Sequence, residues 1–392
     1  MSFLFRGLQW MHNNEMIRGD VRIKGGLIHE LQAELQSNVG EKVILFNDHY
    51  LYPGLINAHD HLEMNLYPRL GHPPYENYTT WGKDIYKPLQ SPVRDIEKID
   101  IRDRLLWGGL KNLISGATTV VHHNPWNRIF DSKLFPVRVP KNIAWSHSLA
   151  FGKEIQKTFR SSNHLPFTIH AAEGVDAVAG NEIEALSKLG MLAANTVLIH
   201  AIALQSHDIE KIRASQCSIV WCPASNLFLF NHTAPIDVLK ESVSVALGSD
   251  STLTGSSTLL DEIHCALQTG LANGEEIYKM VTQWPAKIFD LPLPALTLGS
   301  PADLMIAPIV HPDYFENLQR IGPESIQAVT VKGELRLVDE VFSGSIGLQH
   351  SLLVKGVRKR TTMDVASLIK RLRKQVDETV LQGNPLWQMI AS

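Results

Sequence analysis

A succession of short, continuously apolar runs between residues 51 and 248 constrains the fold most. These are Leu51–Ala58 before His59, then Ala117–His123, Ile143–Ser148, Pro166–His170, Thr196–His200, Ser218–Cys222 and Ser244–Gly248. A strand with one solvated face alternates apolar and polar residues. A parallel strand covered on both faces reads as an unbroken apolar run, as these do. Between the runs lie apolar stripes at helical spacing. One is Ile101, Leu105, Leu106, Leu110 and Leu113, and another is Leu259, Leu260, Ile263, Leu267 and Leu271. A third is Ile183, Leu186 and Leu189, with Asn181 and Glu184 expected as a cap pair and Gly190 as the stop.

Strands alternating with helices imply a parallel sheet or barrel. The expected fold class is α/β, a TIM-like (β/α) barrel. Seven barrel strands are clear, not eight, because the stretch between Ser148 and Pro166 is short. Either Phe135–Val139 is the hidden strand, or the barrel is distorted and lacks one regular strand.

The chain ends read differently. Residues 1–50 look like short strands, with Gly25-Gly26 as a tight turn. Strands return after Gly299 at Asp303–Ala307, Ala328–Val331 and Glu334–Val338, with Lys332-Gly333 as a turn. The expected division is a small β-sandwich domain from residues 1–50 and 299–355, a barrel over 51–298, and a C-terminal helical extension over 356–392. In that extension Met363, Leu368, Ile369, Leu372, Val376 and Val380 recur at helical spacing. Its basic face, Lys370, Arg371, Arg373 and Lys374, reads as a solvated helix face rather than a nucleic-acid site.

Composition excludes several classes. Hydrophobic residues at 44% allow a large core, while a net charge of −3 gives no basis for binding nucleic acid or a membrane surface. Cys217, Cys222 and Cys265 fit neither a disulfide framework nor a thiolate zinc site. A reducing, cytoplasmic setting is therefore expected. The N-terminal residues lack the pattern of a signal peptide, and no apolar run is long enough to span a bilayer.

Polar residues end the apolar runs. His59 and His61 follow the first, and residues two apart in an extended backbone point the same way. Both imidazoles can reach one ion while Asp60 points elsewhere. His170 ends the fourth run, with Glu173 just beyond; His200 ends the fifth, and Asp250 follows the last. Any one of these could be a satisfied histidine or a capping aspartate. Together they sit where barrel active sites sit, at the C-terminal strand ends, and the joint coincidence favours a metal site. Three imidazoles and one carboxylate suit zinc or ferrous iron.

The runs PGLINAHDHLEM (53–64), HAAE (170–173), IHA (199–201), CPASN (222–226), LGSDS (247–251) and PADLMIA (301–307) together resemble the amidohydrolase superfamily. The aminohydrolase branch, with its cytosine, guanine and S-adenosylhomocysteine deaminases and triazine chlorohydrolases, is the nearest likeness. The resemblance implies one divalent ion, zinc foremost and iron the alternative, on His59, His61, His170 and Asp250. It makes Glu173 the proton shuttle and Asp250 the base. It gives His200 the task of orienting or polarising water or substrate. The expected reaction is cleavage of a C–N bond in a small heterocycle with release of ammonia. Opening of a cyclic amide is the alternative, and a non-catalytic binding barrel a third. A homo-oligomer is expected by family analogy alone.

Further expectations attach to single residues. Ser225, Asn226 and His122 are candidate substrate contacts. Lys153 is the nearest candidate for a bridging lysine, though it reads as an exposed helix residue, so one metal is expected. The segment Glu63–Asp100, rich in Tyr, Pro and Trp, should cover the site, with Tyr75, Tyr78 and Trp81 either touching substrate or packing the loop. Cys222 is not read as a nucleophile.

Overall fold

The computed structural model describes residues 2–344 and 346–390. All seven apolar runs are strands: β5 (Leu55–Asp60), β6 (Ala117–His122), β7 (Ala144–Ser148), β8 (Phe167–Ala171), β9 (Thr196–His200), β10 (Ser218–Trp221) and β11 (Val245–Leu247). Strands β1 (Ser2–His12), β2 (Glu15–Lys24), β3 (Leu27–Gln32) and β4 (Lys42–Pro53) precede them. After them come β12 (Leu304–Pro308), β13 (Ala328–Val331), β14 (Glu334–Asp339), β15 (His350–Val354) and β16 (Val357–Thr361).

The seven middle strands are parallel to their neighbours. Strands β7 to β11 form one sheet in sequential order, and β5 pairs with β6. The Asp250 N–H donates to the His59 carbonyl (3.1 Å), which ties the end of β11 to β5. This is a mixed α/β fold whose parallel strands are consistent with a TIM-like barrel. Helices Ile101–Leu113, Glu182–Lys188 and Leu259–Gln268 fall where the stripes predict them.

The candidate strand at Phe135–Val139 is reduced to one parallel bridge, Thr119 to Arg138, beside β6. The Arg138 N–H donates to Thr118 (2.8 Å), and its carbonyl accepts from Val120 (2.9 Å). The next donors along that edge would come two residues to either side, at Pro136 and Pro140. Proline has no N–H, so the ladder stops there.

The two chain ends meet in one nine-stranded sheet of order β15-β16-β14-β13-β12-β4-β1-β2-β3. It buries its own cluster, including Phe3, Phe5, Phe46, Leu304 and Leu335. Strand β4 runs on to Pro53, so it leads directly into β5. The expected helical extension from residue 356 needs correction at its start, because β16 occupies Val357–Thr361 and pairs with β14 and β15. Lys355 and Gly356 both have positive φ (45° and 80°) and turn this hairpin. The tail then forms helices at Val365–Gln375, Glu378–Gln382 and Pro385–Ile390. It packs back on the helix Ile101–Leu113: Trp387 lies 5.4 Å from Trp107, and Arg371 pairs with Asp103 at 2.7 Å. The expected Asn181 cap is also not made. Asn181 is already helical, continuing from Ala177–Gly180, and its amide donates to the Ala177 carbonyl (2.6 Å). Among the described residues no helix is long and apolar enough to cross a membrane.

Candidate active site

Four strand ends, those of β5, β8, β9 and β11, bring their polar residues together. His59, His61, His170, His200 and Asp250 are all buried. The Nε2 atoms of His59 and His61 each lie 3.8 Å from Asp250 Oδ1. Ligand atoms of His59, His61 and Asp250 fall within 4.8 Å of one another, as do those of His59, His170 and His200. His59 belongs to both groups, and both its ring nitrogens are buried without a hydrogen-bond partner. Such orphaned atoms are costly unless something outside the chain satisfies them. A divalent cation fits this donor set of neutral imidazoles and one carboxylate.

The neighbours of these side chains aim them. His170 donates its Nδ1–H to the His147 carbonyl (2.7 Å), which leaves Nε2 as the acceptor. His200 donates Nδ1–H to Asn226 Oδ1 (2.8 Å), and its Nε2 lies 3.6 Å from Glu173 Oε1. Asp250 Oδ2 is held by the hydroxyls of Ser225 (3.0 Å) and Thr254 (2.9 Å), while Oδ1 faces the imidazoles. The Asn124 amide lies 3.1 Å from His61 Nδ1.

Burial sets the protonation states. It holds the His59 and His170 imidazoles well below their ordinary pKa, helped by mutual repulsion, so both are neutral. Burial alone would raise the Asp250 carboxyl, but His61, His200, the Ser251 N–H and the Thr254 hydroxyl bring it below its usual value. Glu173 goes the other way. Burial, reinforced by the charges of Asp250 and Glu182, pushes its carboxyl well above the usual range. Two carboxyl groups in one site are thus pushed in opposite directions, the pattern of an acid and a base.

Asp60 points away from the cluster, as its place between the two histidines predicts. Its Oδ2 accepts from Asn112 (2.9 Å) and Lys111 (3.3 Å), and its Oδ1 from Asn65 (2.7 Å). Lys111 is fully buried and also donates to Ser249 Oγ (3.0 Å) and to the Asp250 carbonyl (2.7 Å). Sequence reasoning missed Lys111. The one available signal was a charged residue inside an apolar helix beside Gly108-Gly109. A Cβ at Gly108 would lie 2.1 Å from the Leu62 carbonyl oxygen, so this helix presses on the turn that follows His61. Glu182 was missed too. It accepts from the Tyr78 hydroxyl (2.9 Å) and the Ala172 N–H (2.8 Å), fixing the turn that carries Glu173.

The candidate substrate contacts are redistributed. Ser225 and Asn226 serve Asp250 and His200 rather than the cavity. His122 also lies off the cavity: its Nδ1 accepts from the Leu62 N–H (3.4 Å) and its ring packs on Phe130 at 5.2 Å. His147, near the end of β7, does line the cavity and stacks on His170 at 4.8 Å. Lys153 is exposed. Cys222 is buried, which pushes its thiol well above the usual pKa. The covering segment contributes helix Tyr78–Ile85, with Tyr78 and Trp81 on the cavity wall. Tyr75 instead donates to Asp84 (2.5 Å). The Tyr78 N–H donates to the Glu173 carbonyl (3.1 Å), so wall and acid are joined. The cavity above the cluster measures about 590 Å³.

Parallel strands that carry buried imidazoles and a carboxylate at their C-terminal ends describe the barrel metallohydrolases. Within that class, residues 139–336 match the amidohydrolase family, and the chain belongs to that family. It is similar to 5-methylthioadenosine/S-adenosylhomocysteine deaminase of Pyrococcus furiosus, 25% identical over 76% of this chain and 84% of the relative. It is similar also to 5'-deoxyadenosine deaminase of Methanothrix thermoacetophila, 23% identical over 79% and 86%. Among solved structures, an adenosine deaminase from Xanthomonas campestris with bound zinc superposes with a TM-score of 0.71. That match has 17% identity and covers 96% of this chain and 98% of the other. Atrazine chlorohydrolase from Arthrobacter aurescens TC1, complexed with zinc, gives 0.68 at 16% identity, over 85% and 94%. These two structures share the fold.

Proposed function

We propose that the chain is a metal-dependent deaminase that replaces the amino group of a small heterocycle by water and releases ammonia. The observation that carries this is Glu173: a buried carboxyl 3.6 Å from His200, pushed toward its protonated form beside a cluster whose other carboxyl is pushed toward its ionised form. His59, His61, His170 and Asp250 are the proposed ligands, for zinc first and iron second. When bound, such an ion lowers the pKa of water toward about 7. Asp250 Oδ1 takes the proton from the attacking water. His200, pinned by Asn226, orients that water through Nε2. Glu173 gives its proton to a ring nitrogen, takes one back from the hydroxyl left on carbon and passes it to the departing amine, which otherwise leaves poorly; the proton held by Asp250 then restores Glu173. The deaminases among the relatives support this choice of reaction. One ion rather than two is proposed, because both ligand groups share His59 and Lys153 is exposed.

Coarser features complete the proposal. The Arg138 bridge is taken to stand for the missing strand of a closed barrel over residues 51–298. The nine-stranded sheet is taken to fold over itself as a sandwich of residues 1–50 and 299–355. Three free cysteines support a cytoplasmic setting.

The test is Glu173→Gln in zinc-loaded protein, with ammonia release and bound metal both measured. Ammonia release should fall by about 10²–10⁴-fold, the usual contribution of general acid–base catalysis, with metal content unchanged. Full turnover in that variant would sink the assignment. Ring-opened product without ammonia would move the reading to a cyclic amide.

A further inference from the structure

The cavity lining is mostly apolar, with polar groups at the floor and the Tyr67 and Tyr86 hydroxyls among the walls. The floor is the cluster itself, with His61, His170, Glu173 and Asp250, and the walls include Met64, Leu70, Ile85, Val93, Phe151 and Leu253. Three further hydrogen-bonding groups that the walls carry are already engaged within the protein. The Tyr78 hydroxyl donates to Glu182 (2.9 Å), the Trp81 N–H to the Leu70 carbonyl (3.1 Å) and the Thr254 hydroxyl to Asp250 (2.9 Å). The charged residues of the lining above the floor, Lys83 and Glu97, are exposed at the rim.

The volume, about 590 Å³, is well inside the range of roughly 300–1,000 Å³ for small-molecule sites. One aminated ring held against Glu173 and Asp250 would leave most of the apolar wall uncovered. A hydroxyl set against Met64, Leu70, Ile85, Val93, Phe151 or Leu253 would lose its water without gaining a partner. We infer that the substrate is an aminated heterocycle bearing an apolar arm, an alkyl, thioether or aryl group, rather than a free base. The ring lies on the floor and the arm lies between the helix Tyr78–Ile85 and Leu253. This rests on the deaminase reading for the ring; the arm rests on the walls alone.

Adenines with n-alkyl arms from methyl to hexyl on one ring nitrogen are suitable probes, with hydroxylated arms of equal length for comparison. Zinc-loaded full chain is assayed for ammonia release. Binding of the same arms on rings lacking the exocyclic amine is measured by calorimetry. Each methylene should raise kcat/KM about fourfold until the wall is covered. Hydroxylated arms should fall about tenfold or more below their alkyl partners. Ile85→Ser, at the last residue of its helix, should compress both ratios. Ammonia released equally well or better from hydroxylated arms overturns the inference and leaves the deaminase reading standing. No ammonia from any ring overturns the deaminase reading, and binding then decides the arm. Dissociation constants that tighten with arm length sustain it, and a flat series overturns it.

Discussion

Two polar regions meet at the strand ends, and they are built on opposite plans. Behind the histidines, Asp60, Lys111, Asn57, Asn112 and Ser249 interlock with no exposure to solvent. Each of Asp60's oxygens has a donor, and Lys111 has three acceptors. In front, His59 has no partner on either nitrogen and the Glu173 carboxyl is pushed well above its ordinary pKa by burial. Adjacent residues in sequence, His59 and Asp60, belong to different regions because successive side chains of a strand point to opposite sides. A satisfied network rigidifies; an unsatisfied one is tolerated where something from outside completes it. The comparison separates groups that hold geometry from groups that do chemistry.

The largest expected effect comes from the front. Asp250→Ala removes a proposed ligand and the base together. Bound zinc should fall well below one ion per chain, and ammonia release by at least about 10³-fold. Elemental analysis and the ammonia assay check this; a variant that keeps metal and turnover would remove Asp250 from the front. Behind, Lys111→Met leaves Asp60 buried and unpaired. Breaking a buried pair on one side costs about 3–5 kcal/mol, so denaturant melts should show a loss of that size. Adding Asp60→Asn should recover part of it. A small loss in the single variant would mean that the rear region carries no positional load.

Glu182 tests the seam between the wall and the acid. Burial raises its carboxyl to about 7 despite the Tyr78 hydroxyl and the Ala172 N–H. A carboxyl with a folded pKa above its unfolded value keeps its proton longer in the folded state. Its contribution to stability is therefore full below about pH 4.5 and is lost as the pH rises through about 7. Folding stability should decline across that window by up to about 3 kcal/mol. Glu182→Gln should flatten the decline, and equal slopes in the two proteins would show that Glu182 is not the titrating group.

The front was largely legible in the sequence because each of its residues follows an apolar run. A parallel strand covered on both faces has a recognisable composition, and a barrel puts its site at the ends of such strands. The rear was not. Lys111 meets the Asp250 carbonyl across 139 positions of sequence, and no local pattern reports a pairing of that range. His122 and His123 show a second limit. Neighbours at a strand end face opposite ways, and residue type alone does not say which faces the cavity. Here neither does: His122 turns to Phe130, while His123 Nε2 reaches the Ser146 carbonyl (3.1 Å). The Phe135–Val139 segment is legible as a strand only to the single residue between its prolines that can pair. Ser225 and Asn226 were found by motif, but their direction was set by Asp250 and His200.

Asn226 joins the two plans, and its replacement should have the smallest effect on catalysis. It is fully buried, like the rear residues, and donates to Thr233 Oγ1 (3.2 Å) while accepting from His200 Nδ1–H (2.8 Å). Asn226→Ala would free the imidazole to rotate and to exchange tautomers, without touching a proposed ligand. Losses of about 10–100-fold are typical when such an orienting partner is removed. The loss should fall on kcat rather than KM, because the substrate keeps the walls and floor, and bound metal should stay near one ion per chain. Asn226→Asp would separate orientation from charge: the carboxylate still accepts from Nδ1–H, but it favours a protonated His200. Its rate should then recover as the pH rises, while that of Asn226→Ala should not. If both variants lose metal instead, Asn226 belongs with the rear region and His200 with the ligands, and the line between the two regions moves by one strand.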